Sequence, residues 1–145
     1  MQGRHAFLAD EATLDDFVTR FHGHRLAKAE WTHGAHVALC AYHAWDGDVE
    51  TTFALLRDAI RSFNESVGTA NTATSGYHET LTRLWTTVIA AYLGELAAPT
   101  RWDAVCAAVA RYGDDRGLHR RYYRHDVVAD PVARASWVPP DLPGE

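Results

Sequence analysis

Cysteine occurs only twice in this chain of 145 residues. Two thiols cannot build the disulfide framework of a small secreted domain. Cys40 and Cys106 both fall inside helical patterns with apolar neighbours and read as small buried hydrophobes in a reducing compartment. Long apolar runs are missing as well. The most apolar helical stretch is broken by Thr82, Arg83, Thr86 and Thr87, so no membrane partner is expected. Residues 1–10 lack the apolar segment of a secretory signal, which makes the cytoplasm the expected location. Basic charge is in deficit too, with 14 Lys+Arg against 19 Asp+Glu and a net charge of −5. That balance argues against a nucleic-acid partner. The run 116–124 comes nearest to a basic stripe, but Asp114, Asp115 and Asp126 flank it. Strand alternation, hairpin dipeptides and internal repeats are all lacking.

What is present is helical periodicity. At 47% hydrophobic and 23% charged, the composition is that of a chain able to bury one core. The expectation is a single all-α domain over 1–145, a mostly antiparallel bundle of five or six helices. Residues 1–11 form a loose lead-in and 138–145 an extended tail. Thr13 with Asp16 resembles a capping box, followed by Leu14, Phe17, Val18 and Phe21 at helical spacing and closed by Gly23. His22 and His24, beside that glycine, read as surface complements to a helix dipole. Thr32 caps a helix over 33–45 that places His33, His36, Val37, Cys40 and Ala44 on one face, with Ala38 and Tyr42 opposite. His43 lies two turns beyond His36, where it either supports a site or stays half-exposed. Asp48 caps a helix over 49–67 with an apolar stripe of Val49, Phe53, Leu56, Ile60, Phe63 and Val67, and Gly68 follows as its stop.

A hydroxyl-rich loop then leads into a helix over 76–95 capped by Thr74 or Ser75. Its expected stripe contains His78, Leu81, Trp85, Val88, Ile89, Tyr92 and Leu96. Glu79 and Arg83 are spaced for an ion pair on its flank. Thr100 caps a further helix ended by Gly113, residues 116–124 form a short helical piece, and Asp130-Pro131 opens a last turn. Tyr122, Tyr123 and Trp137 read as anchors for the C-terminal segment.

Short connections make neighbouring helices antiparallel. The first turn of the helix at His33, the last turn near Asn64 and the start of the helix at His78 should therefore share one end of the bundle. His33, His36, Asn64, His78 and Glu79 can then face one pocket.

Three chemistries fit such a set. In the first, His33, His36 and His78 ligate a divalent ion (Fe, Mn, Cu or Zn), with Glu79 or Glu30 adding a carboxylate. An ion left with an open position supports hydrolysis or oxygen-dependent oxidation. In the second, His78 and Glu79 act without metal as an acid–base pair of an isomerase or lyase, with Tyr77 beside them. In the third, the pocket holds a small ligand without turnover. Asn64, Asn71, Thr74 and Arg83 would contact the small-molecule substrate in the first two. The bland alternative makes all these histidines hydrogen-bonded core. Ser75 lies in no Gly-x-Ser-x-Gly elbow, and neither cysteine has an electropositive niche. A homodimer remains open.

The motifs Trp31-Thr32-His33-x-x-His36 and Gly76-Tyr77-His78-Glu79-Thr80 stand with Asn64-Glu65, Gly68-Thr69, Asn71-Thr72 and Trp137-Val138-x-Pro140-Asp141-Leu142. In that combination the chain resembles a family of small bacterial helical proteins of unassigned function, from about Glu30 onward. The resemblance implies a free-standing single-domain protein and brings no substrate or reaction with it.

Overall fold

The computed structural model describes residues 5–144. Six α-helices and four 3-10 turns, with no strand among the described residues, make an all-helical bundle. The α-helices are α1 (Glu11–His22), α2 (His33–Ala44), α3 (Val49–Ser66), α4 (Glu79–Leu96), α5 (Arg101–Tyr112) and α6 (Pro131–Ala135). None is long and apolar enough to cross a membrane.

Most boundaries follow from side chains that satisfy the free N–H groups of a helix start. Thr32 accepts from Ala35 N, Asp48 from Thr51 N, Thr100 from Asp103 N, and Asp130 from Val132 N ahead of Pro131. Two expected caps are displaced. α1 starts earlier, because Asp10 rather than Thr13 is the cap and accepts from both the amide and the hydroxyl of Thr13. α4 starts later than residue 76. Its cap is His78, whose Nδ1 accepts from Leu81 N at 3.1 Å.

α2 is the centre of the molecule and packs on α5, α4 and α3. Gly34, Ala35, Ala38, Ala41 and Ala44 are all buried, so its sides are closed by neighbours approaching small residues. The expected outward face at Ala38 is therefore covered, because small side chains let a helix be surrounded. α3 and α4 pack on each other as well as on α2. Their side chains, with those of α1 and α5, join one continuous core built around Phe17, Phe21, Phe63, Leu39 and Ile89.

Both chain ends dock. The expected loose lead-in falls partly on residues 1–4, which lie outside the described residues. Beyond them a 3-10 turn at Ala6–Leu8 buries Leu8 and stacks Phe7 on Phe17 at 4.8 Å. The piece expected as a helix over 116–124 is only a 3-10 turn, Leu118–Arg121, anchored by buried Leu118. The C-terminal tail is extended as expected but tied down. Tyr123 Oη donates to the Val138 carbonyl, and the amides of Asp141 and Leu142 donate to the Tyr122 carbonyl. Trp137 does not anchor it from within; its ring stays on the surface beneath the Arg83 guanidinium.

Candidate functional site

The end of the bundle where α2 begins, α3 finishes and α4 starts encloses a cavity of about 710 Å³. That is within the range of about 300–1,000 Å³ common for small-molecule sites. Trp31, Thr32, His33 and His36 reach it from the start of α2, Asn64 from the end of α3, and Gly76, Tyr77 and His78 from the approach to α4. The two sequence motifs therefore share one site. Its walls are mostly apolar, with Leu56, Ile60 and Phe63 on α3 facing Leu81, Trp85 and Ile89 on α4.

His36 presents an unpartnered ring nitrogen at the cavity. Its Nδ1 donates to the Thr32 carbonyl at 2.8 Å, and its ring lies against the Trp31 ring with centroids 3.7 Å apart. These contacts fix the tautomer and leave Nε2 as a bare lone pair, with no protein partner among the described residues. The residue is exposed and lines the half-open cavity. Desolvation pushes its pKa down to about 4 against the opposing bond to Thr32, and His33 and Arg116 add like-charge repulsion. His33, half-buried, bonds through Nε2 to the Tyr112 carbonyl at 3.1 Å and packs its ring edge on Trp85. Burial lowers its pKa as well.

His78 has a different place from the one its spacing suggested. It is not inside the helix but caps it. With Nδ1 accepting from Leu81 N, the proton sits on Nε2 and is donated to the Val127 carbonyl at 2.9 Å. Burial lowers its pKa and favours this neutral form. Both ring nitrogens are thus occupied by backbone, and neither is offered to an ion or a substrate.

Glu79 does not line the cavity. It accepts from Tyr77 Oη at 2.8 Å and lies 3.8 Å from Arg57. The Tyr77 phenol is thereby tied to Glu79, and burial together with Glu79 raises its pKa far above the ordinary value. The expected assembly of His33, His36, His78 and Glu79 around one ion is consequently not formed. Among the described residues no group of three or more His, Cys, Asp or Glu side chains is arranged to hold a metal.

Three of the four expected substrate contacts serve elsewhere. Asn71 organises the loop, accepting from Asn64 Nδ2 and Tyr77 N and donating to the Arg61 carbonyl. Thr74 is exposed, in a turn closed by Thr72 and Ser75. Arg83 pairs with Glu50 on α3 rather than with Glu79, since the neighbouring helix offers a better partner than the helix's own flank. Asn64 alone of the four lines the cavity. His43 lies outside it, with Nε2 2.9 Å from Nε2 of His22.

Other lining residues lie beyond the expected set. Lys28, Arg116 and His119 reach the cavity from the turn before α2 and from the segment after α5. The signal for Arg116 and His119 was the basic run itself, whose approach to this end depends on how the chain returns after α5. Cys40 also lines the cavity, but burial pushes its thiol up to about 12, so it is no thiolate nucleophile. Compared with protein-family models, curated proteins and solved structures, the chain matches none, and its chemistry is read from the site alone.

Proposed function

We propose that this protein binds a small organic molecule with an apolar body in the interhelical cavity, and that His36 is its polar anchor. The observation that carries this reading is the pairing of an apolar, aromatic-walled cavity with the oriented, unpartnered Nε2 of His36. A histidine whose pKa lies near 4 is neutral at physiological pH and offers a lone pair. So acidic a conjugate acid makes it a weak general base, since a base works best with a pKa near the working pH. Accepting a hydrogen bond from the ligand suits it better than carrying a proton.

A second reading keeps the divalent ion and has one observation in its favour. His33 and His36 each bond through one ring nitrogen to a backbone carbonyl, as metal-bound imidazoles commonly do. An ion there would complete its coordination from water or substrate, because His78 and Glu79 are engaged elsewhere. Turnover, hydrolytic or oxidative, belongs to this reading.

Titration calorimetry with 2-naphthalenemethanol, 2-naphthoate and 2-naphthyl phosphate tests the first. At least one should bind the parent and fail to bind Leu81→Trp, which fills the cavity from α4 while α4 stays helical by circular dichroism. Binding that survives Leu81→Trp would place the ligand elsewhere and end this reading. Elemental analysis of protein purified without a metal column tests the second. Near-stoichiometric metal, lost in folded His36→Ala, would favour it over simple binding.

A further inference from the structure

The cavity has a sign of charge opposite to that of the protein. The chain holds 19 acidic residues and a net charge of −5, yet no Asp or Glu lines the cavity. Its charged lining consists of Arg116 and Lys28, the chain's only lysine, both exposed, with His33, His36, His78 and His119 as the histidines around them. Several arginines outside the cavity are neutralised by carboxylates, among them Arg20 by Asp16 and Glu30, Arg83 by Glu50, Arg101 by Asp46, and Arg121 by Asp115. Arg116 and Lys28 have no such partner among the described residues. The Arg116 charge is felt in the site, where it depresses both His33 and His36 while Asp115 pulls His33 the other way.

Each alternative occupant fits these facts worse. A purely apolar ligand gives two unpaired cations nothing to do. A cationic ligand would be repelled by Arg116 and would find no carboxylate. An anion turns the same groups into charge-assisted donors, and a guanidinium is shaped for carboxylate or phosphate oxygens. The apolar walls lie on α3 and α4, and the cations come from segments outside them, so body and head have separate places.

Resting on the ligand-binding reading above, we infer that the occupant is an organic anion. Its apolar body lies against Trp31, Trp85, Ile60 and Leu81. Its carboxylate or phosphate head is held by Arg116 and Lys28 beside the neutral His36.

The test uses the full chain and the three naphthalene probes, which share one apolar body and differ in the head. The anions should bind about tenfold or more tighter than the alcohol, as one complementary charge contact allows. The double variant Lys28→Gln/Arg116→Gln should bring anion affinity down to that of the alcohol and leave the alcohol unchanged. Arg25→Gln/Arg124→Gln, which removes the same charge outside the cavity, should leave the anion preference intact. A preference for naphthoate over the phosphate, or the reverse, identifies the head. If the alcohol binds as tightly as the anions, or the preference survives loss of Lys28 and Arg116, the anion inference is wrong while the ligand-binding reading stands. If none of the three probes binds, the ligand-binding reading itself fails and the inference goes with it.

Discussion

Asn71 shows how a single loop residue shapes the cavity without touching its contents. Its Oδ1 accepts from Asn64 Nδ2 at 3.0 Å and from Tyr77 N at 2.9 Å, while its Nδ2 donates to the Arg61 carbonyl at 3.1 Å. One amide thus ties the last turns of α3 to the strand of chain that delivers Tyr77 and His78. Asn71→Ala should lower stability by about 1–3 kcal/mol, since it strips partners from a half-buried cluster. Urea unfolding measures this, and an effect within error of zero would mean water replaces the amide. Gly76, next along, has φ +78°, and a Cβ there would stand 2.5 Å from the Ala70 carbonyl oxygen. That turn therefore needs glycine. The polar loop was legible in the sequence as a place where side chains bond backbone. The residue types do not say which backbone, and so Asn71 and Thr74 read as substrate contacts.

At the scale of elements, α4 is fastened to the C-terminal segment by one hydroxyl. Thr80 is fully buried; its Oγ1 donates to the Ser136 carbonyl at 2.8 Å and accepts from Val138 N at 3.0 Å. Arg134 reinforces the junction by donating to the Gly76 carbonyl at 2.7 Å. Thr80→Val keeps the shape but leaves a carbonyl and an amide without partners. It should cost about 1–3 kcal/mol and speed amide hydrogen exchange at Val138 selectively. Exchange at Val138 that matches the parent would show that the tail is held by its bonds to Tyr122 and Tyr123 without help from Thr80. The apolar periodicity of α4 predicted its existence and length closely. It did not predict the start, because His78 can continue a helix or cap one, and only the distant Val127 carbonyl makes the cap the better arrangement.

For the whole molecule, two histidines held neutral set an acid limit. His43 has its pKa pushed down to about 4 by desolvation first, then by His22 and Arg101, against the pull of Asp46. His36 is held near the same value. Both lie below the ordinary histidine value, so between about 6.5 and 4 the unfolded chain takes up protons that the native state refuses. Stability is full above about pH 6.5 and falls as pH drops through that window. The His22–His43 contact sharpens this, since one ring must accept where the other donates, and two imidazolium rings cannot. Melting temperature should therefore fall more between pH 7 and pH 4.5 in the parent than in His43→Gln, whose amide does not titrate. Equal slopes would show that His43 takes up its proton in the native state as freely as in the unfolded one. Carboxylates held down by caps and ion pairs, such as Asp48 and Glu30, add losses only below the ordinary carboxylate range.

Helix class, most caps and the meeting of the two histidine motifs were determined by the sequence alone. Each depends on residues a few positions apart or on the shortness of the links between helices. Thr32, Asp48, Thr100 and Asp130 cap the turns they precede in any context that allows a helix. The tertiary structure decided what each polar side chain faces. It assigned both nitrogens of His78 to backbone, turned Glu79 away toward Tyr77, and brought Lys28 and Arg116 to a cavity free of acids. The partners that decide this, Val127 for His78 and Tyr112 at the end of α5 for His33, lie tens of residues away along the chain. Hydrophobic spacing reports which side of a helix is buried; it carries no information about which distant donor, acceptor or charge arrives there.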